Sequence, residues 1–223
     1  MSADLTSRRF AAVLFDLDGT LIDSSSSVRS SWAQWQREFG IDSAQLSPRH
    51  GWPSRAIVEA LAADGSIPAA RTDEAAARIE QIEIAAAPVD GIVALPGASA
   101  ALAAVAGRSA IATSCVRALA DARIAAAQLV APTVLVTADR VERGKPAPDC
   151  YLLAAAELGV DPRDCLVVED APAGIAAARA AGCAVLGLLT TTPEDQLDAD
   201  GVLTDLSKVV FRATSDGVVL VRR

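Results

Sequence analysis

The chain has 223 residues, of which 52% are hydrophobic and 22% charged, enough for one large domain or for a core carrying a smaller insert, and too apolar for general disorder. Twenty Lys and Arg against 28 Asp and Glu leave a net charge of −8, which excludes a basic face for nucleic acid or for an anionic membrane. Only two of the cations are lysines, Lys145 and Lys208, so each stands out.

Ser7-Arg8-Arg9-Phe10 looks superficially like a twin-arginine export signal. The apolar run that follows ends at Asp16 and is shorter than the ~7–15 residues of a signal h-region. Residues 10–15 instead read as one buried strand, a short apolar run bounded by charge. Residues 25–88 are helical in character with no convincing strand. Trp32, Trp35 and Phe39 recur at i, i+3 and i+7, giving an aromatic helix face that predicts a local core. Further helices are expected at 56–63 and 73–87, the latter stopped by Pro88, with Ser54 capping the helix that starts near Arg55.

From residue 97 the rhythm changes. A helix at 98–105 leads to a strand ending at Thr113, a helix at 116–128, a strand at 133–136 and a helix at 151–158. A strand at 166–168, a helix at 173–181 and a strand at 184–188 follow. Strands and helices alternating at this pace predict βαβ crossovers and a parallel sheet. Residues 209–211 and 218–221, around Ser215-Asp216-Gly217, read as a closing hairpin or edge strands. The most apolar long stretch, 91–107, is broken by Pro96-Gly97 and is too rich in Ala to cross a bilayer. Four cysteines without a C-x-x-C spacing predict buried, reduced thiols. The expectation is a soluble, cytoplasmic α/β protein with a Rossmann-like parallel sheet, its core at 1–22 and 91–223 and a helical domain inserted at 23–90.

In such sheets the active crevice lies beyond the carboxyl ends of the strands. The first strand is followed by Asp16-Leu17-Asp18-Gly19-Thr20, two carboxylates that would repel unless a divalent cation takes one and leaves the other to move protons. Thr113 and Ser114 after the second strand supply donors for phosphate oxygens. Gly144-Lys145-Pro146-Ala147-Pro148-Asp149 after the third holds one lysine in a stiff loop. Glu169 and Asp170 after the fourth are hard oxygen ligands suited to Mg²⁺.

These motifs, with Val168-Glu169-Asp170-Ala171-Pro172-Ala173-Gly174, resemble the haloacid dehalogenase superfamily, in its phosphatase-like members with a helical cap inserted after the first strand. The resemblance implies that Asp16 attacks phosphorus to form an acyl phosphate and that Asp18 protonates the leaving oxygen and then deprotonates water. It also implies Mg²⁺ held by Asp16, the Asp18 carbonyl and Asp170, with Glu169 direct or through water. Lys145, Thr113, Ser114 and loop amides including Gly19 would neutralise the phosphoryl oxygens. Asp18 argues against dehalogenation, since the namesake enzymes lack that second carboxylate.

Arg49-His50-Gly51-Trp52-Pro53-Ser54-Arg55 holds the only histidine, and His50, Gly51 and Arg55 are expected to read the leaving group from a cap loop. The pattern resembles sugar and polyol phosphatases of the glycerol-phosphate and deoxyglucose-phosphate kind, with a small phosphorylated metabolite as the partner. A phosphohexose mutase, using 51–55 for a second phosphate, is the alternative within the same chemistry, and a non-catalytic binding or regulatory module is the alternative outside it. Composition fits a monomer and a homodimer equally.

Overall fold

The computed structural model describes residues 5–42 and 53–222. Five short runs predicted from the sequence become strands of one parallel sheet: β2 (Ala12–Phe15), β5 (Ser109–Ala112), β6 (Val134–Val136), β7 (Cys165–Glu169) and β8 (Ala184–Leu188). β9 (Gly201–Leu203), which the sequence did not announce, completes the order β6-β5-β2-β7-β8-β9. Every neighbouring pair in that sheet is parallel.

Alternation along the strands divides the core between the two faces of the sheet, because successive side chains point to opposite sides. Val13, Phe15, Ile111, Leu166, Val168, Leu186 and Leu188 belong to one cluster, shared with α4 (Ala98–Ala104) and α5 (Arg117–Ala126). Ala12, Leu14, Ala110, Ala112, Val167 and Val185 belong to the other, shared with α6 (Asp149–Leu158) and α7 (Pro172–Ala181). Both faces of β2 are covered and all four of its residues are buried, which is why it reads as a continuous apolar run.

The expected single strand at 10–15 is two. Arg9–Phe10 forms β1, paired antiparallel with β11 (Gly217–Arg222), while Ala12–Phe15 enters the parallel sheet. The chain changes sheet at Ala11, whose N–H goes to the carbonyl of Asp164 at 2.7 Å. The hairpin expected at the end of the chain is present as β10 (Val209–Thr214) and β11, in the order β1-β11-β10. Phe211, Val218 and Leu220 from it close one face of the main core.

Between β3 (Ile22–Asp23) and β4 (Val93–Ala94), a two-stranded antiparallel ribbon too short to be read from the sequence, the chain makes α1 (Ser25–Phe39), α2 (Ser54–Ala63) and α3 (Thr72–Ala86). These helices have their own cluster, built on Trp32, Trp35, Val58, Leu61, Ile79 and Ile82. The aromatic face is its centre: Trp35 packs edge-on against Trp32 at 5.2 Å, stacks on Phe39 at 4.8 Å and donates its indole N–H to Ala75 O at 2.8 Å. Ser54 does not cap α2, whose N-cap is Pro53. Its hydroxyl instead donates to Glu83 of α3 at 2.8 Å, a buried charge that is the stronger acceptor.

Candidate active site

Asp16 is the first residue beyond β2, and its N–H continues the ladder to Val168 O at 3.0 Å. Glu169 ends β7 and Asp170 follows it, so the parallel pairing of β2 with β7 brings three carboxylates to one edge of the sheet. Their oxygens lie within 4.8 Å of one another and all three residues are buried. Lys145, from the loop between β6 and α6 and itself only 6% exposed, donates to Asp16 Oδ1 at 2.5 Å and Glu169 Oε1 at 2.6 Å. Glu169 also accepts from Tyr151 Oη at 2.9 Å and, through Oε2, from the N–H groups of Asp170 and Ala171 at 2.9 and 3.0 Å. Both of its oxygens are thus occupied by protein donors.

Two glycines make room for this arrangement. A Cβ on Gly174 would lie 1.5 Å from Glu169 Oε1. Gly19, at φ +83°, would place one 2.2 Å from Asp170 Oδ2. Asp170 is fixed by the Thr20 hydroxyl at 3.1 Å and by the hydroxyl of Thr191, from the loop after β8, while the Thr190 hydroxyl donates to Gly19 O.

The electrostatics follow from burial. Desolvation raises Asp16 well above the usual carboxylate range, against the opposing charge of Lys145. Burial, with the charge of Glu169 beside it, pushes Asp170 up to about 7. Burial alone would lower Lys145, yet Asp16 and Glu169 overcome it and hold the ammonium well above its ordinary value. Three carboxylates facing one ammonium leave negative charge in excess, and the donors are all hard oxygens, so the residues fit a divalent cation such as Mg²⁺.

Asp18 belongs to a second cluster. Its Oδ1 accepts from Ser24 Oγ at 2.6 Å and Arg123 Nη1 at 3.0 Å, and its Oδ2 from the Cys115 thiol at 3.1 Å. Burial, then the charge of Asp18, pushes that thiol well up, so it stays protonated. Arg123, on α5, also donates to Glu83 Oε1 at 2.9 Å. Thr113 is buried after β5, and its hydroxyl accepts from Cys115 N at 3.1 Å. Ser114 is half-buried beside it.

Of the expected leaving-group residues, His50 and Gly51 lie outside the described residues. Arg55 is on the exterior of α2, bound to Asp73 at 2.8 Å and near Glu59 at 3.7 Å. The start of α2 does approach the site: a Cβ on Gly144 would come within 3.0 Å of Pro53. Tyr151, Thr191, Arg123 and Glu83 were missed. Arg123 and Glu83 did carry a signal, each being a charge four residues after an apolar position (Leu119, Ile79) on a buried helix face.

Comparison with known proteins matches residues 10–182 to the family model for haloacid dehalogenase-like hydrolases. Hexitol phosphatase A of Escherichia coli (strain K12) is 41% identical over 221 residues, covering 96% of this chain and 100% of its own. Glycerol-1-phosphate phosphohydrolase 1 of Saccharomyces cerevisiae is 33% identical over 212 residues, covering 87% of this chain and 81% of its own. Among solved structures, a hydrolase from Pseudomonas syringae superposes with a TM-score of 0.78 at 29% identity, over 88% of this chain and 94% of that one.

Proposed function

The chain belongs to the haloacid dehalogenase-like hydrolase family, and from that membership we propose that it is a metal-dependent phosphatase acting on a small phosphorylated sugar or polyol through an aspartyl phosphate on Asp16. The observation that carries the reading is the buried Lys145 ammonium donating to both Asp16 and Glu169 beside Asp170, with the carboxylates at the carboxyl ends of adjacent parallel strands. A metal ion would be held by the carboxylates of Asp16 and Asp170 and the main-chain carbonyl of Asp18, with Glu169, whose oxygens are engaged, acting through water. When bound, such an ion neutralises phosphoryl oxygens and the excess charge of the cluster.

Asp16 then attacks phosphorus in line. Its Oδ–P bond forms as the ester P–O bond breaks, and Asp18 gives a proton to the departing oxygen. In the second half, water attacks the same phosphorus, Asp18 takes its proton, and inorganic phosphate leaves as the Asp16 carboxylate is regenerated. Lys145 balances the phosphoryl charge, aided by Thr113, Ser114 and the amide of Gly19. Residues 1–22 and 91–223 would form the catalytic core and 23–90 a helical cap, a division supported by the separate cluster of α1–α3. His50 and Gly51 belong to the leaving-group side of this proposal, and Arg55 to its outer surface. A second-phosphate role for Arg55, as a mutase would need, draws no support from a guanidinium spent on Asp73 and Glu59.

Among the described residues no helix is long and apolar enough to cross a membrane. The four buried free thiols support a reducing, cytoplasmic setting. The test is phosphate release from a panel of phosphorylated sugars, polyols, nucleotides and acids, with and without chelator. Release from sugar or polyol esters, abolished by chelator and restored by Mg²⁺, is the expected result. No release from any ester, or release indifferent to chelator, overturns the reading.

A further inference from the structure

The ion pairs of Arg123 join two parts of the chain that the sequence keeps far apart. The guanidinium is 4% exposed, and it divides one Nη between Asp18 and the Cys115 sulfur while giving the other to Glu83. Glu83, 3% exposed on α3, takes its remaining bond from Ser54 at the start of α2. A charge buried this deeply must be paired, and an arginine fork fixes the direction of its partners because its donors are coplanar. Arg123 Nε finds no partner among the described residues, so the two carboxylates, rather than a full set of hydrogen bonds, set where the fork lies. Asp16 is held separately, by Lys145.

We propose that Arg123 is the positioning residue for Asp18 and that Glu83 sets Arg123 in place, so that the packing of α3 on α5 governs the orientation of the carboxylate that handles the proton. The inference rests on the phosphatase reading above. A purely structural ion pair would be complete with Glu83 alone. Here the same guanidinium reaches across to the reacting side chain, and among the described residues Ser24, Cys115 and Arg123 all donate to Asp18 and hold its carboxylate in one direction.

Leaving-group dependence separates positioning from stability, since an alkoxide needs the proton of Asp18 and a 4-nitrophenolate does not. For Arg123→Gln, kcat on the fastest alkyl phosphate of the panel should fall about 10²-fold, with KM within about threefold. First-turnover release of 4-nitrophenolate from 4-nitrophenyl phosphate should fall less than about fivefold, because bond formation by Asp16 is untouched. Arg123→Lys should recover about tenfold of the alkyl loss, and Glu83→Gln should show the same pattern at about tenfold. In an Asp18→Asn background, Arg123→Gln should cost almost nothing further.

Equal losses on both esters overturn the proposal, as does an undiminished alkyl rate or a full additional loss in the Asp18→Asn background. Should Arg123→Gln fail to fold, Arg123→Lys and Glu83→Gln are read by the same contrast. A wild-type protein that releases phosphate from no ester refutes the phosphatase reading instead, so the two failures are distinct.

Discussion

The strand-end crevice and the helical segment above it use charge in opposite ways. In the crevice, Lys145 and Glu169 are bound to each other with side chains 3% and 1% exposed. In the segment that carries α1–α3 the pairs Arg78–Glu38, Arg71–Glu74 and Arg55–Asp73 lie on the outside, with side chains 35% to 92% exposed. Removing charges from water costs several kcal/mol per ion, whereas exposed pairs contribute little. Apart from Glu83, which is buried against Arg123, the helical segment therefore stands on its aromatic core and carries these pairs in solvent. The sheet edge keeps buried charge that stability alone would not select, the mark of a site whose groups are held ready for chemistry.

The sharpest way to break this contrast is Asp16→Asn, an isosteric change that removes the attacking oxygen's charge. We expect turnover to fall at least ~10⁴-fold with the fold intact and no loss of thermal stability, checked by phosphate release and a melting curve. Retained turnover would move the nucleophile elsewhere. Next in size is Trp35→Ala, which empties the centre of the helical cluster and should destabilise by about 3–5 kcal/mol in denaturant titration. A cost below ~1 kcal/mol would mean that α1–α3 is not held by its own core.

Smaller, and specific to the crevice, is a pH effect on the metal-free protein. Asp170 is raised from an ordinary 3.8 to about 7, so the folded state binds its proton more tightly than the unfolded state does. Stability from this group is therefore present below about 4 and is lost as pH rises through about 7, on the order of 1 kcal/mol per pH unit. Mg²⁺ should consequently raise the melting temperature more at pH 8 than at pH 5.5, and an equal rise at both would detach Asp170 from metal binding. The smallest effect belongs to Glu38, held down at about 2 by its hydrogen bonds to Arg78 and then to Gln34 on the open surface. Glu38→Gln should leave both turnover and melting temperature at wild-type values, and a drop in kcat would show that the exterior of the helical segment reports to the site.

The crevice was legible because its chemical residues lie at the carboxyl end of a strand or in the loop that leaves it, and strands covered on both faces announce themselves as apolar runs. Asp16, Lys145, Glu169 and Asp170 needed only that local rule. Arg123 and Glu83 did not yield to it. Each is legible as a charge on an apolar helix face, but they are 40 residues apart and only the packing of α3 on α5 names the partner. Ser54 was misread for a related reason: a hydroxyl just before a helix predicts a cap, and a buried carboxylate from another helix outcompetes the backbone for it. The run at 10–15 hid a change of sheet because both halves are buried, and burial rather than pairing is what hydrophobicity records.

The ribbon of β3 and β4 carries a consequence for how such a molecule can diversify. Ile22 faces Ala94 and Asp23 faces Val93, so the chain departs and returns one strand spacing apart, about 5 Å. Whatever lies between those two points need only span that gap, and closing a longer or shorter excursion changes the entropy slowly. Lineages can therefore graft, trim or exchange the excursion to suit new esters while inheriting Asp16, Lys145, Glu169 and Asp170, so long as the new insert still offers Arg123 a buried carboxylate in place of Glu83.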